Sequence, residues 1–142
     1  MVERTGRAII FDKNDNIIFI KRKKFNKDMS INKIYYTFPG GHLEGNESFE
    51  EAVIREVYEE LSLKISIDKE FVHLFNKDLK RDEIFYISNI IGGVLHAGNG
   101  PEFQNIDYLK YGKYEIVSLN KGELGKYNIL PVEVKEKILK EL

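Results

Sequence analysis

The sequence predicts an α/β, or α+β, sandwich: a mixed β-sheet covered by one central helix and one C-terminal helix. Three observations lead there. Short β-branched and aromatic runs alternate with turn-forming clusters along most of the chain. A Ser-x-x-Glu capping pattern at Ser48 and Glu51 opens a helix predicted from about Phe49 to Leu61. Near the end, Val134, Ile138 and Leu142 share one helical face. With 142 residues, 42% of them apolar, the chain is read as one domain spanning 1–142 with one proper core.

Taken in order, Arg7 to Phe11 and Ile17 to Ile20 read as strands of a hairpin, because Asp12-Lys13-Asn14-Asp15-Asn16 between them favours a turn. Lys21 to Lys33 is basic and reads as a loop. Ile34 to Phe38 forms another strand, stopped by Pro39-Gly40-Gly41, where proline ends pairing and glycine permits positive φ. After the central helix, Lys64 to Ile67 and Glu70 to Phe75 read as two short strands. Glu83 to Val94 reads as a central strand with a bulge expected at Gly92-Gly93. His96 to Asn105, rich in glycine around Pro101, is a loop, and Tyr114 to Leu119 a further strand. Pro131 suits the first turn of the last helix.

Composition limits what the protein can do. Its 22 basic and 23 acidic residues nearly cancel, so bulk charge would not hold it on a nucleic acid polymer or an anionic membrane, and an anionic ligand needs a local site. The absence of cysteine excludes disulfides, thiolate zinc sites and a cysteine nucleophile. Met1 to Arg7 lacks the character of an export signal and no apolar run would span a bilayer, so the expectation is a cytoplasmic protein.

Chemistry concentrates on the central helix. At about 100° per residue, Glu56, Glu59 and Glu60 form one acidic stripe, while Val57 and Leu61 fall on the other side. Like charges at these spacings repel. A bare Glu-x-x-Glu-Glu is usually a solvated helix face, but the stripe also invites a hard divalent cation, and carboxylates without neighbouring His or Cys suit magnesium, or manganese, better than zinc.

The surrounding residues favour the second reading. Gly41 to Leu63, GHLEGNESFEEAVIREVYEELSL, closely resembles the signature of the Nudix hydrolases, with Gly41, Glu47, Arg55, Glu56, Val57, Glu59, Glu60 and Leu63 at matching spacings. Ser62 departs, standing where that family has glycine. Tyr36-Thr37-Phe38-Pro39-Gly40-Gly41 also resembles the family's entry into this box. The resemblance implies a Nudix-like fold and hydrolysis of a nucleoside diphosphate linked to another group, with Mg2+ on the diphosphate. It implies metal ligands Glu56, Glu60, Glu59 and the Gly40 carbonyl, and an orienting ion pair between Glu47 and Arg55 that keeps Arg55 away from the metal carboxylates.

The general base is either a box glutamate such as Glu59 or an acid from a later loop, for which Glu102 is the candidate. Within Lys21-Arg22-Lys23-Lys24, Arg22 is the first choice for substrate phosphate because its fork binds two oxygens, with Lys23 beside it. Tyr36 and Phe38 give one strand an aromatic face, open to core packing or to stacking on a base. His42, His73 and His96 have no ligand-like spacing.

Enzymes of this kind for ADP-ribose often carry a proline beyond the box, and NADH-specific members a longer proline-rich signature; here no proline stands between Pro39 and Pro101. The expectation is therefore a small-molecule nucleotide substrate, a nucleoside triphosphate before ADP-ribose or a nucleotide sugar. A catalytically silent nucleotide-binding module is the alternative of another class. A homodimer is compatible with the reading.

Overall fold

The structure is a computed structural model that describes residues 1–96 and 107–142. Strands β1 (Glu3–Phe11) and β2 (Asn16–Phe25) form the expected hairpin, followed by β3 (Ile31–Thr37) and the short β4 (Gly40–His42). Helix α1 (Phe49–Leu61) precedes β5 (Leu63–Asn76) and β6 (Arg81–Gly93). After the four-residue α2 (Tyr108–Tyr111) come β7 (Lys113–Asn120), a 3-10 turn over Lys121–Lys126, β8 (Ile129–Leu130) and α3 (Val132–Glu141).

One mixed sheet runs β5-β6-β1-β2-β3-β8, with β4 on β1 and β7 on β2. β1 is parallel to β6 along its whole length, but it pairs with β2 only beside their turn, at Phe11 and Ile17. The two strands diverge from there, and β4 pairs with β1 in the space they leave, Gly40 opposite Arg7 and Gly41 opposite Gly6.

Strand alternation then separates two apolar layers. Ala8, Ile10, Ile18, Leu63 and Ile65 pack with Val53, Val57 and Leu61 of α1. Ile9, Ile17, Phe19, Phe38, Phe85 and Ile129 pack with Val134 and Ile138 of α3. This is the sandwich the sequence predicts. Among the described residues, no helix is long and apolar enough to cross a membrane.

Helix α1 keeps the predicted bounds because its signals are local. The Ser48 hydroxyl accepts from the Glu51 N–H at 3.1 Å and the Glu51 carboxylate accepts from the Ser48 N–H at 2.9 Å, which satisfies two otherwise orphaned donors. Elsewhere the reading needs correction. Lys21 to Lys33 is not a loop: β2 continues to Phe25 and β3 begins at Ile31, with Lys21 to Lys24 paired to β3. The two strands expected between Lys64 and Phe75 are one, β5, whose register slips between Ile67 and Lys69 and again between Glu70 and Val72. Those bulges interrupt the alternation that would have marked a single strand. A third slip, opposite Lys64 and Ile65, falls near the expected Gly92-Gly93 position. Pro131 stands at the capping position of α3, one residue before the first turn, and Leu142 lies at its partly exposed end. Of the expected loop from His96 to Asn105, the stretch from 97 onward lies outside the described residues.

Candidate active site

The helix and the Gly40-Gly41 segment meet because three glycines allow it. A Cβ on Gly6 would lie 2.5 Å from Cγ2 of Val53 and 2.7 Å from the Phe49 carbonyl oxygen, so α1 sits closer to β1 than any side chain there would permit. Gly40 has φ +142, and a Cβ would fall 2.1 Å from the Gly6 carbonyl oxygen. Its N–H donates to Oε1 of Glu60 at 2.8 Å, which ties the segment to the helix and gives that buried carboxylate a partner. At Gly41 a Cβ would lie 2.5 Å from the Glu56 carboxyl carbon: the missing side chain leaves the space that Glu56 fills.

Arg55 organises the remaining carboxylates. Its Nε and Nη2 donate to the two oxygens of Glu47 at 2.7 and 2.9 Å, the forked pair expected from the sequence, and Nη2 also donates to the His42 carbonyl at 3.1 Å. The expectation that this pair holds Arg55 away from the acidic stripe is corrected. Nη1 donates to Glu56 at 2.9 Å and to Glu59 at 3.2 Å, the second being the neighbour one helical turn on. The Arg55 hydrogen bond, with the Glu44 N–H in second place, holds Glu47 below the ordinary carboxylate value, and Glu47 in turn raises Arg55.

Glu44 approaches the same guanidinium at 3.6 Å, so one cation faces four carboxylates and the cluster stays net negative. Among the described residues, no three His, Asp or Glu side chains form a ready metal-holding group. Arg55 stands between Glu56 and Glu59, and Glu60 turns to the Gly40 N–H. The donors nonetheless fit a hard divalent ion, being all oxygen, net anionic and seated where Gly41 leaves room beside Glu56. The Gly40 carbonyl accepts from Nη1 of Arg7 at 3.1 Å, and a carbonyl retains a second lone pair.

A cavity of about 430 Å³ brings Gly40, Gly41, Glu56 and Glu60 together with Arg22 and Tyr114. Arg22 is fixed there: Nε donates to the Thr37 hydroxyl at 2.9 Å, Nη1 to the Tyr114 hydroxyl at 3.2 Å, and the guanidinium lies over the Tyr114 ring at 4.6 Å. Glu59 is half exposed and lies outside this lining.

Other candidates go elsewhere. Lys23, one residue along β2, pairs with Glu115 at 3.3 Å, since successive strand residues face opposite ways; its assignment to substrate phosphate is corrected. Tyr36 is buried against Tyr127, and Phe38 is 1% exposed between Phe19 and Phe85. Tyr36 is no stacking platform, because its face of β3 turns to the α3 layer; Phe38, just past β3, packs in the same layer and also lines a neighbouring cavity. Glu102 lies outside the described residues. The sequence reading missed Arg7, Thr37, Glu44 and Tyr114. Only Arg7 carried a signal, as a charge at an inward position beside Ile9 in an otherwise apolar strand.

Comparison with known proteins bears on the family and the fold. An "ADP-ribose pyrophosphatase" of Methanocaldococcus jannaschii is 34% identical over 63% of this chain and 53% of its own length. An "8-oxo-dGTP diphosphatase" of Proteus vulgaris is 36% identical over 42% of this chain and 49% of its own. The chain thus matches about half the length of these relatives. In fold it is similar to a MutT structure described for Aliivibrio salmonicida and Vibrio cholerae, with TM-score 0.69, 18% identity and all of both chains covered. It is also similar to a Nudix-family hydrolase of Clostridium perfringens, with TM-score 0.66, 17% identity and 100% and 99% coverage. A family model described as a NUDIX domain matches residues 2–131, which include the whole acidic box, and the chain belongs to the Nudix family.

Proposed function

We propose that the protein is a magnesium-dependent hydrolase of a phosphoanhydride bond in a small nucleotide. The observation that carries this reading is the single cavity in which Glu56 and Glu60 face Arg22. An anionic wall suits a cation and a cationic wall suits phosphate oxygens, so the cavity has complementary places for a metal and the diphosphate it accompanies.

Glu56, Glu60 and the Gly40 carbonyl, with Glu59 at the rim, would hold the metal. When bound, it neutralises phosphate charge and lowers the pKa of a water. The chain's own residues supply the rest. Arg22, held by Thr37 and Tyr114, receives phosphate oxygens without first having to order its side chain. Arg55 and Glu47 fix the box loop on α1. A water oxygen bonds to phosphorus, the bridging P–O bond breaks, and the water's proton passes to a carboxylate, for which Glu59 and Glu102 are the candidates.

The absence of proline between Pro39 and Pro101 favours a nucleoside triphosphate. ADP-ribose is the second reading, supported by the name of the M. jannaschii relative. The same proposal has the protein act in the cytoplasm on small molecules.

Product formation from a nucleotide panel, with and without magnesium, tests it. Magnesium-dependent release of a nucleoside monophosphate is expected. Nucleotide binding without turnover would make the chain a silent binding module, and no binding would end the reading.

A further inference from the structure

A second cavity, of about 300 Å³, opens beside the acidic one, and Arg7 lines both. Its walls are Phe38, Phe85, Leu130 and Pro131, apolar and drawn from β6, β8 and the ends of β3 and α3. Four polar side chains interrupt them: Thr37, whose hydroxyl accepts from Arg22, Arg81, which pairs with Glu3 at 3.7 Å, and the pair Arg7 and Glu83. Glu83, on β6, accepts from Nε of Arg7 at 3.2 Å, with the two side chains 13% and 22% exposed. Nη1 of Arg7 is committed to the carbonyls of Phe38 and Gly40, at 3.3 and 3.1 Å. Among the described residues, Nη2 of Arg7 and Oε1 of Glu83 carry no hydrogen bond. The ion pair therefore presents a donor beside an acceptor at the junction of the two cavities.

We propose that this cavity is the subsite for the substrate's nucleobase and that Arg7 and Glu83 make it select guanine. The volume is at the small end of ligand pockets, the scale of a flat ring rather than a whole nucleotide, and phosphates attached to that ring would pass Arg7 into the acidic cavity. Guanine offers O6 as acceptor followed by N1–H and the 2-amino group as donors, the complement of a guanidinium N–H followed by a carboxylate. Adenine offers a 6-amino donor followed by the N1 acceptor and meets the pair in reverse. A carboxylate left facing an acceptor loses its partner, which is why such sites discriminate strongly. Uracil matches at O4 and N3–H but then presents a second acceptor. The expected order is guanine, then uracil, then adenine and cytosine.

The place of the phosphates rests on the phosphoanhydride reading; base selection does not, so the test measures binding. Calorimetric titration of the full chain with GMP and AMP should show GMP binding roughly tenfold more tightly or better, on the scale of one good paired edge. In Glu83→Gln, which keeps size and removes the charge, the ratio should fall to near one with AMP affinity unchanged. Equal affinities in the wild type, or an undiminished ratio in Glu83→Gln, would overturn the proposal.

Should that variant fail to fold, amide shifts in the wild-type protein on adding GMP decide. Changes centred on Glu83, Phe85 and Leu130 support the subsite; changes centred on Asp12, Asn89 and Ser118, which line a cavity of about 680 Å³ at the other end of β2, overturn it. Guanine preference without hydrolysis of any nucleotide would sink the phosphoanhydride reading and leave the subsite standing. Hydrolysis without base preference would do the reverse.

Discussion

The two helices that cover the sheet are held by different means. Helix α3 lies over a layer of large side chains, Phe19, Phe38 and Phe85 among them, to which Val134 and Ile138 add fully buried volume. Helix α1 buries Val53, Val57 and Leu61, but its position is also fixed by close approaches that an added Cβ would disturb: Gly6 against Val53, Gly40 against the Gly6 carbonyl, Gly41 against Glu56. One layer is specified by volume and the other by clearance. Changes in the first should therefore cost stability, whereas changes at the carboxylate edge of the second should cost function at nearly constant stability.

The largest separation is expected at Glu60. Glu60→Gln keeps an acceptor for the Gly40 N–H and removes the charge, so turnover should fall at least about a hundredfold with little change in urea midpoint. Near-normal turnover would take Glu60 out of the metal-binding set. Ile138→Ala is the converse case. Deleting a wholly buried side chain from the α3 layer should cost about 2 kcal/mol or more in denaturant unfolding while the turnover of folded protein holds.

Gly41→Ala tests the clearance argument itself. The new methyl would press on the Glu56 carboxylate, the far end of a flexible side chain, so the fold can absorb it by moving the group that the site needs. Activity should drop roughly tenfold or more, as small misplacements at a reacting centre do, with only a small shift in melting temperature. Equal losses of stability and activity would erase the distinction between the layers.

Tyr86 extends the comparison to pH. It is buried under α1, and that burial, assisted by Glu50 and Glu70, pushes its hydroxyl up to about 12. A raised folded value means that the unfolded chain loses its proton first, near the ordinary 10. The contribution is whole below pH 10 and is lost as pH rises toward 12. Stability measured across that window should fall in the wild type and fall less steeply in Tyr86→Phe.

The same contrast between local and distant determinants explains what could be read in advance. Helix α1 was legible to its end residues because capping and periodicity act within a few positions. The box residues were legible as a set, since Glu47, Arg55, Glu56 and Glu60 lie within one loop and one helix. What failed depends on partners far away in sequence. Lys23 and Arg22 are neighbours with opposite fates, decided by Glu115 on one face of β2 and by Thr37 and Tyr114 on the other. Tyr36 and Phe38 show an aromatic face without showing that α3 covers it. The Arg7 and Glu83 pair joins strands 76 positions apart, and no local pattern announces it.

Ser62→Gly carries the smallest expected effect and tests where a local rule gives way. Ser62 follows Leu61 at the end of α1, where the family box has glycine, and it adopts the left-handed conformation with φ 59 and ψ 25 while its N–H donates to the Tyr58 carbonyl at 2.9 Å. That conformation is strained for a residue with a Cβ and natural for glycine. Two effects oppose each other on substitution. Glycine relieves the native strain, but it also gives the unfolded chain more freedom to lose, which alone would destabilise. Ser62 brings little to offset the strain, since its hydroxyl lies 3.5 Å from the His96 ring, at the limit of a hydrogen bond. Relief should therefore win, and Ser62→Gly should stabilise the protein by something under about 1 kcal/mol in denaturant unfolding, with activity unchanged. A loss of stability would mean that the exit from α1 is held by its serine, and that the clearance rule governing Gly6, Gly40 and Gly41 stops at the end of the helix.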